Sequence, residues 1–114
     1  MPFNVLTTDL FLSDLKSLAK KYPSILNDIK SLISKLEVNP LEEGIPLGWD
    51  CHKIRMAITS KGKGKGKSGG ARVIACVKVI AGNVHLVSIF DKSEMENIAD
   101  KELKRRLKII FEGK

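Results

Sequence analysis

The sequence predicts an α+β fold, with an N-terminal helical hairpin, a sheet of three to four antiparallel strands and a C-terminal helix, in the order β-α-α-β-β-β-α. Two consecutive segments carry apolar residues at helical spacing, with Pro23 between them. The middle of the chain either alternates polar with apolar residues or runs in Val and Ile, and a last helical stripe follows. With 114 residues, 43% hydrophobic and 29% charged, residues 1–114 read as a single domain able to hold a core without disulfides.

Phe3 to Leu6 is a short strand candidate at the amino terminus. From Thr8 to Lys21, Phe11, Leu15, Leu18 and Ala19 fall on one helical face, with Thr7 or Thr8 as N-cap. Pro23 suits a helix start and not an interior, so it separates this helix from the next. Ile25, Leu26, Ile29, Leu32, Ile33 and Leu36 form the second stripe, which Asn39-Pro40 ends. The apolar faces of this hairpin call for a sheet, with the helices expected on one side of it.

Leu41 to Asp50 has two glycines, a proline and no period, so it reads as a loop anchored by Trp49. His52 to Ile58 alternates, with Ile54, Met56 and Ile58 on one face and Lys53, Arg55 and Ala57 on the other. Ser60 to Gly70 holds five glycines and four lysines and offers nothing to a core, so an exposed arm is expected. Ala71 to Ile80 and Val84 to Phe90 read as central strands joined by Ala81-Gly82-Asn83. Ser93 to Glu96 has the form of a capping box, and Leu103, Leu107 and Ile110 give the stripe of a final helix from about Asp100.

The net charge is +7, and it is not spread evenly. Residues 1–60 hold seven basic and seven acidic residues, and residues 61–114 hold thirteen and six. A basic face of that kind suits a polyanion, with nucleic acid the foremost candidate and a plain solubility charge the alternative. No apolar run reaches the length of a membrane span, and the start of the chain has no signal-peptide form, so no membrane role and a cytoplasmic location are expected. Gly66-Lys67-Ser68 ends like a phosphate loop. The glycine such a loop needs five residues earlier is Lys61, however, and a strand follows where a helix should open. Cys51, Cys76, His52 and His85 have no ligand spacing, so neither a metal nor any other cofactor is expected.

Antiparallel pairing would gather Lys53, Arg55, Arg72 and Lys92 at neighbouring strand ends, a repulsive cluster that an anion would relieve. An ordinary solvated basic face is the alternative. Asp91, Glu94 and Glu96 read as caps of the final helix, and Phe90 as buried.

Lys53-Ile54-Arg55, the glycine-lysine loop running into Gly70-Ala71-Arg72-Val73-Ile74, and Val87-Ser88-Ile89-Phe90-Asp91-Lys92-Ser93-Glu94 together resemble the RelE/HigB branch of the RelE/ParE toxin superfamily. The helical hairpin with Lys21-Tyr22-Pro23 and Asn39-Pro40 fits as well, so the likeness spans nearly the whole chain. It implies a RelE-like fold and a type II toxin acting as a ribosome-dependent mRNA endoribonuclease. The implied partners are mRNA on the ribosome, ribosomal RNA and a cognate acidic antitoxin. A gyrase-inhibiting toxin of the ParE kind is the runner-up, and a noncatalytic RNA-binding module the third reading. By this likeness Lys53, Arg55, Arg72 and Lys92 are the catalytic set, with Lys53 as base, Arg72 as charge stabiliser, and Arg55 and Lys92 as phosphate ligands. Lys61, Lys63, Lys65 and Lys67 are read as RNA contacts along the arm. Several members carry a tyrosine after the late basic residue. Here Ile98 stands there, and Tyr22 is the chain's one tyrosine.

Overall fold

The computed structural model describes residues 2–61 and 69–113. In chain order the elements are β1 (Asn4–Leu6), α1 (Asp9–Lys21), α2 (Ile25–Val38), β2 (Ile45–Gly48), β3 (Cys51–Met56), a short 3-10 turn (Thr59–Lys61), β4 (Ala71–Lys78), β5 (Asn83–Asp91) and α3 (Asp100–Glu112). The strands form one sheet in the order β1-β5-β4-β3-β2. All neighbours are antiparallel except β1, which runs parallel to the start of β5 and makes the sheet mixed.

Thr8 caps α1 by accepting the Phe11 N–H, and it ties the cap to β5 by donating to the Leu86 carbonyl. Phe11, Leu15 and Leu18 from α1 and Ile25, Ile29, Leu32 and Leu36 from α2 pack on one sheet face, against Ile54, Met56, Val73, Ala75, Leu86 and Ile89. Leu103, Leu107 and Ile110 from α3 cover the other face, against Cys51, Ile74, Cys76, Val87 and Phe90. The helices therefore lie on both sides of the sheet, not on one as expected. Alternation in β4 explains this, because Val73, Ala75 and Val77 feed one core while Ile74 and Cys76 feed the other.

Two local readings are also corrected. Within the segment read as a loop, Ile45–Gly48 is an edge strand, and Pro46 is tolerated there because an edge leaves one side of the ladder unused. Trp49 and Asp50, at φ 52° and 62°, form the tight turn into β3, a conformation usually given to Asn-Gly. The Ser93–Glu96 box caps no helix. The Ser93 N–H and Oγ both donate to Asp91 Oδ1 (2.9 and 2.7 Å), and α3 starts at Asp100 without a side-chain cap.

Gly70, just before β4, allows a close crossing of the chain. A Cβ there would lie 2.2 Å from the Met56 carbonyl oxygen. Because β1 pairs with Asn83–His85 alone, β5 presents an open edge at Val87. Arg106 of α3 closes it by donating to the Val87 carbonyl (3.0 Å) and to Asp14 of α1 (2.7 Å).

Candidate functional site

The register of β3 and β4 places Arg55 directly opposite Arg72 and Lys53 opposite Ile74. Asp91, the last residue of β5, pairs with Ala71, so Lys92 emerges beside Arg72. Lys92 is fixed through its own N–H, which donates to the Gly70 carbonyl (3.1 Å). All four residues, Lys53, Arg55, Arg72 and Lys92, line one cleft of about 280 Å³ together with Ile45, Glu96 and Asn97. The sequence offered no means of placing Ile45, Glu96 and Asn97 there, since Ile45 belongs to the strand read as a loop.

Within the cleft the cations are graded in exposure. Arg55 is exposed, Lys53 and Lys92 are half-buried, and Arg72 is only 4% exposed. Arg72 donates to the Ala71 carbonyl (3.2 Å). Burial lowers its pKa from the ordinary guanidinium value, the facing Arg55 lowers it further, and Glu96 opposes both. Glu96 also lies 4.0 Å from the Lys92 ammonium. Among the described residues lining the cleft, one carboxylate meets four cationic side chains, so the cleft is electropositive.

Asp91 organises the neighbouring region in a way the sequence did not reveal. Read as a helix cap, it is instead 1% exposed and accepts bonds from the Tyr22 hydroxyl, from Lys61 Nζ (2.8 Å) and from Ser93. Burial alone would raise its pKa, yet the bonds from Lys61, Tyr22 and Ser93 outweigh burial and hold the carboxyl well below the usual carboxylate range. Lys61, expected on the exposed arm, therefore has a side chain only 12% exposed, and it donates to the Gly69 carbonyl (3.0 Å) as well. The buried carboxylate is the physical reason for this placement. Lys63, Lys65 and Lys67 lie outside the described residues.

Ile98 is buried in the second core, as is Phe90, so neither presents a stacking surface. Tyr22 is spoken for by Asp91. His85 packs edge-on against Phe111, with ring centroids 4.8 Å apart, and burial followed by the nearby Lys78 lowers its pKa. His52 Nδ1 is the buried side-chain polar atom without a hydrogen-bond partner among the described residues. Among those residues no three of His, Cys, Asp and Glu come together as a metal-ligand set, and no helix is long and apolar enough to cross a membrane.

No family model matches this chain, and no curated protein matches it by sequence. Solved structures do match. The RelBE2 toxin-antitoxin complex from Mycobacterium tuberculosis aligns with a TM-score of 0.61 at 20% identity, over 80% of this chain and 99% of that one. A mutant of the E. coli toxin RelE in the free state aligns with a TM-score of 0.62 at 16% identity, over 94% and 99%. The isolated E. coli RelE toxin aligns with a TM-score of 0.57 at 14% identity, over 96% and 99%. The chain has the fold of the RelE toxins.

Proposed function

We propose that this chain, with its RelE fold, is the toxin of a type II toxin-antitoxin pair, acting as one domain over residues 1–114, and that it cuts mRNA on the ribosome in the cytoplasm. The observation that carries this reading is the convergence of Lys53, Arg55, Arg72 and Lys92 on one cleft, with a nearly buried Arg72 facing Arg55. Two facing guanidiniums repel in a low-dielectric setting, and a phosphate between them converts that repulsion into binding.

In the proposed reaction the ribose 2′-OH attacks the adjacent phosphorus, the bond to the 5′ oxygen of the next nucleotide breaks, that oxygen takes a proton from water to leave as a hydroxyl, and a 2′,3′-cyclic phosphate remains. Lys53 is the residue assigned to accept the 2′ proton. Arg72 holds two oxygens of the phosphorus centre as negative charge builds, and its burial fixes the guanidinium in advance. Arg55 and Lys92 bind the flanking phosphates. The cations themselves supply the charge stabilisation, so no step is routed through a metal. Lys63, Lys65 and Lys67 add salt-sensitive affinity for the RNA backbone, mRNA or ribosomal. A small acidic antitoxin covering the cationic cleft would silence it.

The test is to map mRNA 5′ ends by primer extension in a translation extract, with and without ribosomes, for this protein and for Arg72→Ala. Ribosome-dependent cuts that fall at least about tenfold in Arg72→Ala are the expected result, as for loss of one electrostatic donor. Intact mRNA with inhibited gyrase supercoiling would move the protein to the ParE kind. Salt-dependent RNA binding without new ends would make it a binding module.

A further inference from the structure

The chain has two cysteines, Cys51 and Cys76, and the sheet sets them directly opposite each other on β3 and β4. Just beyond them the Val77 N–H donates to the Asp50 carbonyl (2.9 Å). That bond puts Cys51 and Cys76 at a non-hydrogen-bonded position of the ladder, where facing Cα atoms are about 4.5 Å apart and side chains come closest. Both side chains enter the second core, 1% and 0% exposed. Both sulfurs also lie against one atom, the Trp49 carbonyl oxygen, at 3.5 Å for Cys51 and 3.7 Å for Cys76. Facing Cα atoms at such positions fall at the short end of the range that disulfides span.

We propose that Cys51 and Cys76 are a reversible oxidation site, joined by a cross-strand disulfide on exposure to hydrogen peroxide. The alternative is two small apolar side chains filling a core. Against it stands the placement of the chain's two sulfurs side by side under a strained turn. Trp49 and Asp50 both sit at positive φ, so the turn whose carbonyl covers both sulfurs is held in a strained conformation. The thiols are also unequal. The hydrogen bond from Cys51 and, against burial, the nearby Lys78 lower the pKa of Cys76, while that bond and burial raise Cys51. One thiolate of the pair attacks the oxidant and the other resolves.

In the first step one cysteine thiolate attacks one peroxide oxygen, the O–O bond breaks, and water leaves with the thiol proton, giving a sulfenic acid. In the second the other cysteine's sulfur attacks that sulfur and the S–O bond breaks. Hydroxide departs as water with the second thiol's proton. One peroxide is reduced to two waters and two thiols are oxidised to one disulfide. The product ties together the two strands that carry Lys53, Arg55 and Arg72, and it encloses the glycine-lysine segment in a covalent loop. This site stands independently of the RNA-cleavage reading.

The full-length folded protein is treated with hydrogen peroxide and its intact mass followed, with peptide mapping under non-reducing conditions and a urea-unfolded sample alongside. The expected result is a loss of about 2 Da, two hydrogens, in the folded protein, a Cys51–Cys76 link in the map, and full reversal by dithiothreitol. Cys51→Ala and Cys76→Ala should each abolish the link. The linked form should unfold at least about 5 °C above the reduced form. A link that appears in urea and not in the folded chain overturns the proposal. So does oxidation of either cysteine to sulfinic acid without a link, or a linked form that unfolds below the reduced one. Because the unsubstituted protein gives the primary readout, a variant that misfolds does not blunt the test.

Discussion

Among the described residues Arg72 and Asp91 are the two buried charges, and they were legible to different degrees. Arg72 stood out in the sequence because it follows a glycine-rich run and opens a Val/Ile strand, so its place beside Arg55 followed from antiparallel pairing. Asp91 was misread, because what matters about it is set by Tyr22 and Lys61, 69 and 30 residues away in the chain. Removing its charge in Asp91→Asn should cost about 3 kcal/mol in urea denaturation, since Lys61 would be left largely buried without its partner. The same carboxyl makes stability fall in acid. Its folded pKa lies below its unfolded value of about 3.9, so its contribution is complete above that pH and is lost as the pH falls below it. Glu102, held at about 2 by Arg105 and then Arg106, acts in the same direction, more weakly because it is better solvated. Thermal melts from pH 6 to pH 2.5 should therefore drop steeply below about pH 4 in the parent and less steeply in Asp91→Asn.

At the scale of elements, periodicity located α1, α2, β3 and α3, because each buries a regular face, and Val/Ile richness located β4 and β5, which are buried on both faces. It missed β2, a four-residue strand that contains Pro46 and Gly48 and follows Gly44, whose residues are mostly exposed and so carry no burial pattern. It also misplaced α3, since a helix stripe reports its own apolar face and not which side of a sheet receives it. Leu103 is the fully buried anchor of that helix, and Leu103→Ala should destabilise the protein by about 3 kcal/mol. Gly70→Ala tests the crossing that sets up the cleft. With a Cβ 2.2 Å from the Met56 carbonyl, the start of β4 has to move, and with it the Lys92 N–H bond to the Gly70 carbonyl. Amide exchange at Lys92 should rise in that variant well before the core amides of β4 change.

At the scale of the whole molecule, the +7 charge gives the protein a long-range pull on polyanions, while under the proposed function the cleft decides what happens on contact. The two roles separate experimentally. Replacing Lys63, Lys65 and Lys67 together with Gln should weaken RNA binding and lower the slope of log affinity against log salt by about 2, without moving the cut positions. Fluorescence anisotropy between 50 and 200 mM salt measures the slope, and primer extension the positions.

The bond from Lys61 to the Gly69 carbonyl has a meaning for the architecture of the gene product. It clasps the chain where it leaves the 3-10 turn and where it returns to β4, and Asp91 locks the clasp from beneath. Lys61 and Gly69 are thereby pinned to each other and to the end of β5, and because Tyr22 meets the same carboxylate, a single buried charge couples the end of α1, the 3-10 turn, the approach to β4 and β5 at one point.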